Sequence, residues 1–411
     1  MNKAAGYPKI NAALVKADYP TVIKLVRAEI AKDPVAVLSD PRIQDWLGRR
    51  YRNLFLNEAE KDESALRAAK VPMPMQLLDR RSSRELLAAR YLKGLPRQEA
   101  QTDMPPANEK RIKGTTLLFV PGLLAGLLPV LAFQTVWPRI EDRFGVRILT
   151  ADIHPARSSA ANAEDIKAAL DQGVGFDADS DYVDSATGKP VGDVVIMGYS
   201  KGAADAMEFL VRYPEEAARV RAFVGWAGVI GGSYIADESE KRLADATSTT
   251  TPLSGEIGRT LRQIVPVVQI ERINRRLDEY DVKAGVHDMT TSAREAFLHD
   301  HIEELEAMRI PTFTFSGATS LREVPYYQAI GVLQLNNYDK NNDMLLTQSQ
   351  TQMPIAHSTH LAAVRAHHWD MAFDPFPWYT RMGSLNVDHR FARYPAMAAL
   401  LLFLSELGLM K

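Results

Sequence analysis

The 411-residue chain contains no cysteine. That one absence excludes disulfides, thiolate metal sites and a cysteine nucleophile, and it fits a reducing compartment. Charge of one sign is also missing. Lys and Arg number 49 against 51 Asp and Glu, a formal net charge of −2, so the chain as a whole has no pull towards nucleic acid or an anionic membrane. Residues 1–110 are locally basic, which reads as a solvated helical surface. The start, MNKAAGYPKI, lacks the apolar core of about 7–15 residues that marks a signal peptide, and the expectation is a cytoplasmic protein. One long apolar run does occur, over 117–137, of a length that spans a bilayer. Pro121, Gly122, Gly126 and Pro129 would break it as a helix, and no basic cluster follows closely. It reads instead as a buried strand, a tight loop and a core helix.

What is present is ordinary for a globular chain: 46% hydrophobic and 24% charged residues, with length enough for more than one domain. Residues 1–94 read as a helical N-terminal domain. Pro20 opens a helix to about Ile30 with Val22, Ile23, Leu25, Val26 and Ile30 on its apolar face, and Asp40-Pro41 caps a second to about Leu56. A third covers 82–92. The polar, proline-rich stretch 95–111 is the linker. From 112 the pattern alternates. Strands are expected at 115–120, 146–151, 191–197, 220–226 and 311–315, with helices between them and a closing apolar helix at 391–407. This alternation predicts an α/β fold, a mainly parallel sheet with helices on both faces. The charged stretch 237–308 interrupts it and reads as a helical cap inserted into the 112–411 unit.

One motif carries chemistry. Val194-Val195-Ile196-Met197 runs into Gly198-Tyr199-Ser200-Lys201-Gly202, and the following residues continue as a helix. That is the setting of a nucleophile elbow, in which a strained turn lifts the serine hydroxyl above the sheet and small residues flank it. The new helix places its first amides where negative charge develops. The 115–120 strand ends in Pro121-Gly122-Leu123-Leu124-Ala125-Gly126, a loop suited to supply one oxyanion-hole amide. Leu123 N–H and Lys201 N–H are the expected pair. The loop is apolar, which suits an acyl chain better than a sugar or a peptide.

From about residue 112 the chain resembles the α/β-hydrolase superfamily, and its late motifs resemble the lipase and esterase branch. Residues 223–233, followed by Ala236-Asp237, look like the lipase strand that ends in a glycine-rich turn, and 312–317 look like the strand before the acid loop. Asn342-Asp343-Met344-Leu345-Leu346 with Ser349 resembles a segment whose aspartate is the triad acid, except that Met344 stands where glycine is usual. His367-His368-Trp369-Asp370 resembles the segment that carries the base. The resemblance implies a triad of Ser200, Asp343 and His368, and it does not reach the first 110 residues.

The residue types agree. A serine hydroxyl needs a neutral imidazole to take its proton, and the imidazole needs an acid to fix its tautomer. On residue type alone, His367 competes with His368, and Glu323, Asp339 and Asp370 compete with Asp343. The run His357, His360, His367, His368 could suggest zinc, but it lacks metalloprotease spacing and has no cysteine. No metal and no cofactor are expected. The partner is a small-molecule ester with an apolar acyl chain, with no nucleic acid and no transmembrane segment. An acyltransferase using the same triad, and a catalytically silent binding or scaffold protein, are the competing expectations.

Overall fold

A computed structural model describes residues 7–70, 79–245, 276–325, 328–377 and 390–411. The N-terminal helices are α1 (Pro8–Val15), α2 (Tyr19–Lys32), α3 (Pro34–Leu38), α4 (Pro41–Ala59), α5 (Glu63–Ala69), α6 (Ser83–Tyr91) and α7 (Arg97–Gln101). Aspartates start four of them. Asp18, Asp33, Asp40 and Asp62 each accept a hydrogen bond from a first-turn amide. At the first three a proline sits in the first two helical positions, where its missing N–H removes a donor that would have had no partner. Helix α6 opens with a reciprocal capping box between Ser82 and Glu85. The stretch expected as a linker contains α7.

The α/β part then runs β1 (Thr115–Val120), α8 (Trp137–Phe144), β2 (Arg147–Thr150), α9 (Ser159–Gln172), β3 (Gly175–Phe176), β4 (Tyr182–Val183), β5 (Asp193–Tyr199), α10 (Lys201–Arg212), α11 (Pro214–Ala217) and β6 (Val220–Trp226). It continues through α12 (Tyr234–Asp245), α13 (Val282–His287), α14 (Thr291–Ala307), β7 (Thr312–Gly317), α15 (Ala329–Leu335), β8 (Ser358–Val364) and α16 (Arg393–Glu406). The described strands form one sheet in the order β4-β3-β2-β1-β5-β6-β7-β8. It is parallel from β2 to β8, with β3 and β4 antiparallel at one edge. The buried apolar runs expected as strands are all present, because a strand covered on both faces reads as a continuous hydrophobic stretch. Two parts of the sheet are additions to that reading. The β3 and β4 pieces are too short to show a period, and β8 alternates buried and half-buried positions and includes His360.

From β1 the chain moves outward to β2, whereas β5 lies on the other side of β1, so the strand order reverses between them. Such a switch point opens a crevice at the carboxyl ends of the strands. The register carries both strands to the same level, with Val120 opposite Gly198 and Gly198 opposite Gly225. The loop after β1 and the turn after β5 therefore leave the sheet side by side.

Helix α4 shares one hydrophobic core with the sheet and α16. Its Tyr51 ring meets Phe315 edge-on at 4.8 Å and Phe403 at 6.3 Å. The fully buried Arg50 pairs with Glu406 at 2.6 Å and donates to the Pro105 carbonyl at 2.8 Å. On the other flank Gln44 donates to the Ala356 and Ser358 carbonyls beside β8.

Two histidines tie stability to pH. His360 lies between the hydroxyls of Thr314 and Ser316, each 3.2 Å from a ring nitrogen. His154 Nδ1 accepts the Ala156 N–H at 3.1 Å, and its Nε2 faces the Arg276 carbonyl at 3.3 Å, which fixes a neutral ring protonated at Nε2. Burial pushes both down to about 4. In the unfolded chain a histidine takes up its proton near pH ~6.5. Between that pH and about 4 the unfolded state binds more protons, so stability is complete above the unfolded value and falls as the solution is acidified. Each histidine contributes at most about 1.4 kcal/mol per pH unit. The urea midpoint is expected to drop from pH 7 to pH 4.5, and to drop less steeply in His360→Gln. Equal slopes in the two proteins would exclude His360 as a source.

Candidate active site

Tyr199 is the last residue of β5 and Lys201 the first of α10, so Ser200 alone makes the turn, at φ 55° and ψ −127°. A non-glycine residue there is strained by ~1–3 kcal/mol and must be held by its surroundings. Its N–H donates to the Trp226 carbonyl at 3.3 Å, and its own carbonyl accepts from Ala203 at 3.1 Å and Val229 at 2.9 Å. The flanking glycine follows from close approach. A Cβ at Gly202 would stand 2.1 Å from the Val120 carbonyl oxygen. The loop after β1 is just as tight, since a Cβ at Gly122 would lie 2.8 Å from Ser200 Cβ and 3.3 Å from its Oγ.

Asp343 is completely buried. Its Oδ1 accepts the amides of Leu345 at 3.0 Å and Leu346 at 2.7 Å, and its Oδ2 lies 2.8 Å from His368 Nδ1. The His368 amide also donates to the Asp343 carbonyl at 2.9 Å. Met344 has φ 78°. The residue standing where glycine is usual thus occupies a left-handed turn, the conformation glycine takes without cost. With Nδ1 donating to the carboxylate, Nε2 is left as an acceptor. That Nε2 has no hydrogen-bond partner among the described residues. His368 and Ser200 line the same 90 Å³ cavity.

The competing residues have other engagements. His367 Nδ1 accepts the Asp370 amide at 3.2 Å. Asp370 pairs with Arg393 at 3.4 Å, Glu323 with Arg365 at 3.4 Å, and Asp339 accepts the Asn341 amide at 2.8 Å. The histidine run does not converge, since His360 is on β8 and His368 beyond it. Among the described residues no three His, Asp or Glu side chains gather in a metal-holding group.

Lys201 turns its side chain away from the crevice to Asp205 and to Ser159, and Asn162 completes that buried group by donating to Asp205 at 2.8 Å. The Lys201 and Leu123 amides donate to no protein acceptor among the described residues, whereas the neighbouring Leu124 amide donates to the Pro155 carbonyl at 2.8 Å.

Two residues that the sequence reading passed over support these groups. The Tyr199 ring stacks on the His368 imidazole at 5.1 Å and 28°, and its hydroxyl donates to the His368 carbonyl at 3.0 Å. Ser233 Oγ donates to the Leu345 carbonyl at 2.7 Å and accepts the Ile235 amide at 3.2 Å, tying the start of α12 to the acid loop. Tyr199 stands inside the elbow motif and could have been noticed there. Ser233 ends the 223–233 stretch noted by resemblance, but nothing along the chain points to its bond with the Leu345 carbonyl. Residues 246–275 of the stretch expected as a helical cap lie outside the described residues.

The mostly parallel eight-stranded sheet order, with a strand–turn–helix at Ser200, is that of an α/β-hydrolase fold. No family model matches the sequence, and no curated protein matches it either. Solved structures do match. A metagenomic carboxyl esterase, MGS0156, superposes with a TM-score of 0.61 at 22% identity, over 87% of this chain and 91% of its own. The mature Bacillus licheniformis lipase BlEst2 aligns at a TM-score of 0.43 and 17% identity, over 64% of this chain and 89% of its own. The Staphylococcus hyicus lipase also aligns at 0.43, with 13% identity, over 74% and 99%. Among the described residues no helix is long and apolar enough to cross a membrane.

Proposed function

We propose that this chain is a serine hydrolase that cleaves a carboxylic ester with an apolar acyl group through an acyl-enzyme on Ser200. The observation that carries the reading is His368, held through Nδ1 by a buried Asp343 at 2.8 Å while its Nε2 stays without a partner in the cavity of Ser200. Nε2 takes the Ser200 proton as Oγ attacks the ester carbonyl carbon. The Leu123 and Lys201 amides receive the oxyanion, and Asp343 stabilises the imidazolium. His368 then returns the proton to the leaving alkoxide. Water, deprotonated by the same nitrogen, attacks the acyl carbonyl and releases the acid and Ser200. No step calls on a cofactor. The cavity wall is largely aliphatic, with Leu124, Leu128, Val229, Met289 and Leu346, which supports an apolar substrate. In this reading residues 1–94 are a helical N-terminal unit packed on the catalytic unit 112–411 through the core that α4 shares with the sheet and α16, and the described helices α12 to α14 belong to the cap.

The test is the intermediate itself. Rapid acid quench after mixing with an activated ester should leave one acyl mass on the peptide containing Ser200. An acyl group found elsewhere, or turnover with no adduct and no burst, removes Ser200 as nucleophile. Tyr199→Phe keeps the stacked ring and loses only the bond to the His368 carbonyl, a net ~0.5–1.5 kcal/mol. It should lower kcat/KM by about two- to tenfold. A loss comparable to that of His368→Ala would mean the tyrosine takes part in the chemistry directly.

A further inference from the structure

Two cavities adjoin across Leu123 and Phe373, and they differ in size; Ser200 lines the smaller one. The 90 Å³ cavity holds Ser200, His368 and Trp369. A second chamber of 390 Å³ is lined by Gly122 and Leu123 and then by Phe119, Trp137, Phe176 and Tyr280, and it includes neither the acid nor the base. Leu123 and Phe373 line both, so the two cavities share a wall. The larger one begins at Gly122, whose missing Cβ would stand 3.3 Å from Ser200 Oγ.

The chemistry of the intermediate assigns their occupants. Four groups surround the reacting carbon: Ser200 Oγ, the oxyanion, the leaving oxygen and the acyl chain. The oxyanion points at the Leu123 and Lys201 amides. The leaving oxygen must take its proton from His368 Nε2, so the alcohol lies on the His368 side. The acyl chain takes the remaining direction, and the larger chamber, which shares Leu123 and Phe373 with the Ser200 cavity, is the adjoining space with room for it. That chamber also offers no uncommitted positive charge. The Arg276 guanidinium is bonded to Glu279 at 2.6 Å and to Asp165 at 3.2 Å, and both nitrogens of His154 are engaged. A chain ending in a carboxylate would meet no free cation among the described residues there and would face Asp152, whereas a neutral hydrocarbon would find Phe119, Trp137, Phe176 and Tyr280.

Resting on the acyl-enzyme reading above, we propose that the chamber behind Gly122 and Leu123 is the acid-side site and that the 90 Å³ cavity beside His368 is the alcohol-side site. The preferred substrates are then esters of a long neutral acid with a short alcohol.

Two ester series on the full chain test this: methyl esters of straight-chain acids, and acetates of straight-chain alcohols. In the acid series kcat/KM should rise by up to about fourfold per methylene until the chamber is full. In the alcohol series it should fall after a few carbons. Ala132→Phe, which narrows the larger chamber, should move the acid optimum to shorter chains and leave the alcohol profile unchanged. Ser239→Phe, at the smaller cavity, should affect only the alcohol profile. Labelling of Ser200 by a small fluorophosphonate, followed by intact mass, checks that each variant is folded. If wild type forms no Ser200 adduct, the acyl-enzyme reading itself is lost. Adducts accompanied by a flat acid series, by a preference for long alcohols, or by an Ala132→Phe profile like wild type would overturn only the assignment of the two cavities.

Discussion

Replacing Ser200 with alanine is expected to lower ester turnover by at least about 10⁴-fold, because the groups of a serine triad act as a unit and removing one removes nearly all of their joint effect. What survives comes from the amides that receive the oxyanion and from binding. The fold should be untouched. The strained turn is held by backbone bonds from Trp226, Ala203 and Val229, none of which uses the hydroxyl. Thermal midpoints of the two proteins should therefore agree within a few degrees while their rates do not. A fluorophosphonate should modify wild type and leave Ser200→Ala unmodified. Equal labelling of both would place the nucleophile elsewhere.

The second large effect separates neighbouring groups. His368→Ala should be about as damaging as Ser200→Ala, and His367→Ala should keep a substantial fraction of activity, since the Asp343 carboxylate faces His368. Asp343→Asn is the sharper probe. The amides of Leu345 and Leu346 both point at Oδ1 and will hold the asparagine oxygen there. The NH₂ group is then forced into the Oδ2 position, where it donates to His368 Nδ1. A ring that accepts at Nδ1 carries its proton on Nε2 and cannot take one from Ser200. The expected loss is about 10³–10⁴ in kcat with little change in KM. Activity of His367→Ala falling to the level of Ser200→Ala, with His368→Ala near wild type, would move the base by one residue.

Legibility in the sequence followed physical range. The turn at Ser200 was readable because its signal is local: a strand, a tight turn and a helix within a dozen residues. The strands at Thr115–Val120 and Val220–Trp226 were readable because burial on both faces leaves short, mostly apolar runs, interrupted in the second by the half-buried Arg221. The histidine and the acid were narrowed but not separated by residue type, since His367 and His368 are both buried and nearly identical in surroundings along the chain. Only the fold brings Asp343 to one of them. Strand β8 escaped because half of one face is polar and because its histidine drew attention as a ligand. The use of His360 is to bridge two hydroxyls of β7. Ser233 and the two cavities belong to packing between distant segments, which no local pattern encodes.

The pairing of Arg50 with Glu406 has a consequence for how the chain is made. The partners are 356 residues apart. At a synthesis rate of ~5–20 residues per second, α4 leaves the ribosome roughly 20–70 seconds before α16 exists. For that time the Arg50 guanidinium lacks the carboxylate it pairs with, and the face of α4 that packs on α16 is without that cover. The part of the core that α4 shares with α16 cannot close until α16 has emerged, so ribosome-bound chains stalled before it should be cut by protease across α4 faster than the full chain.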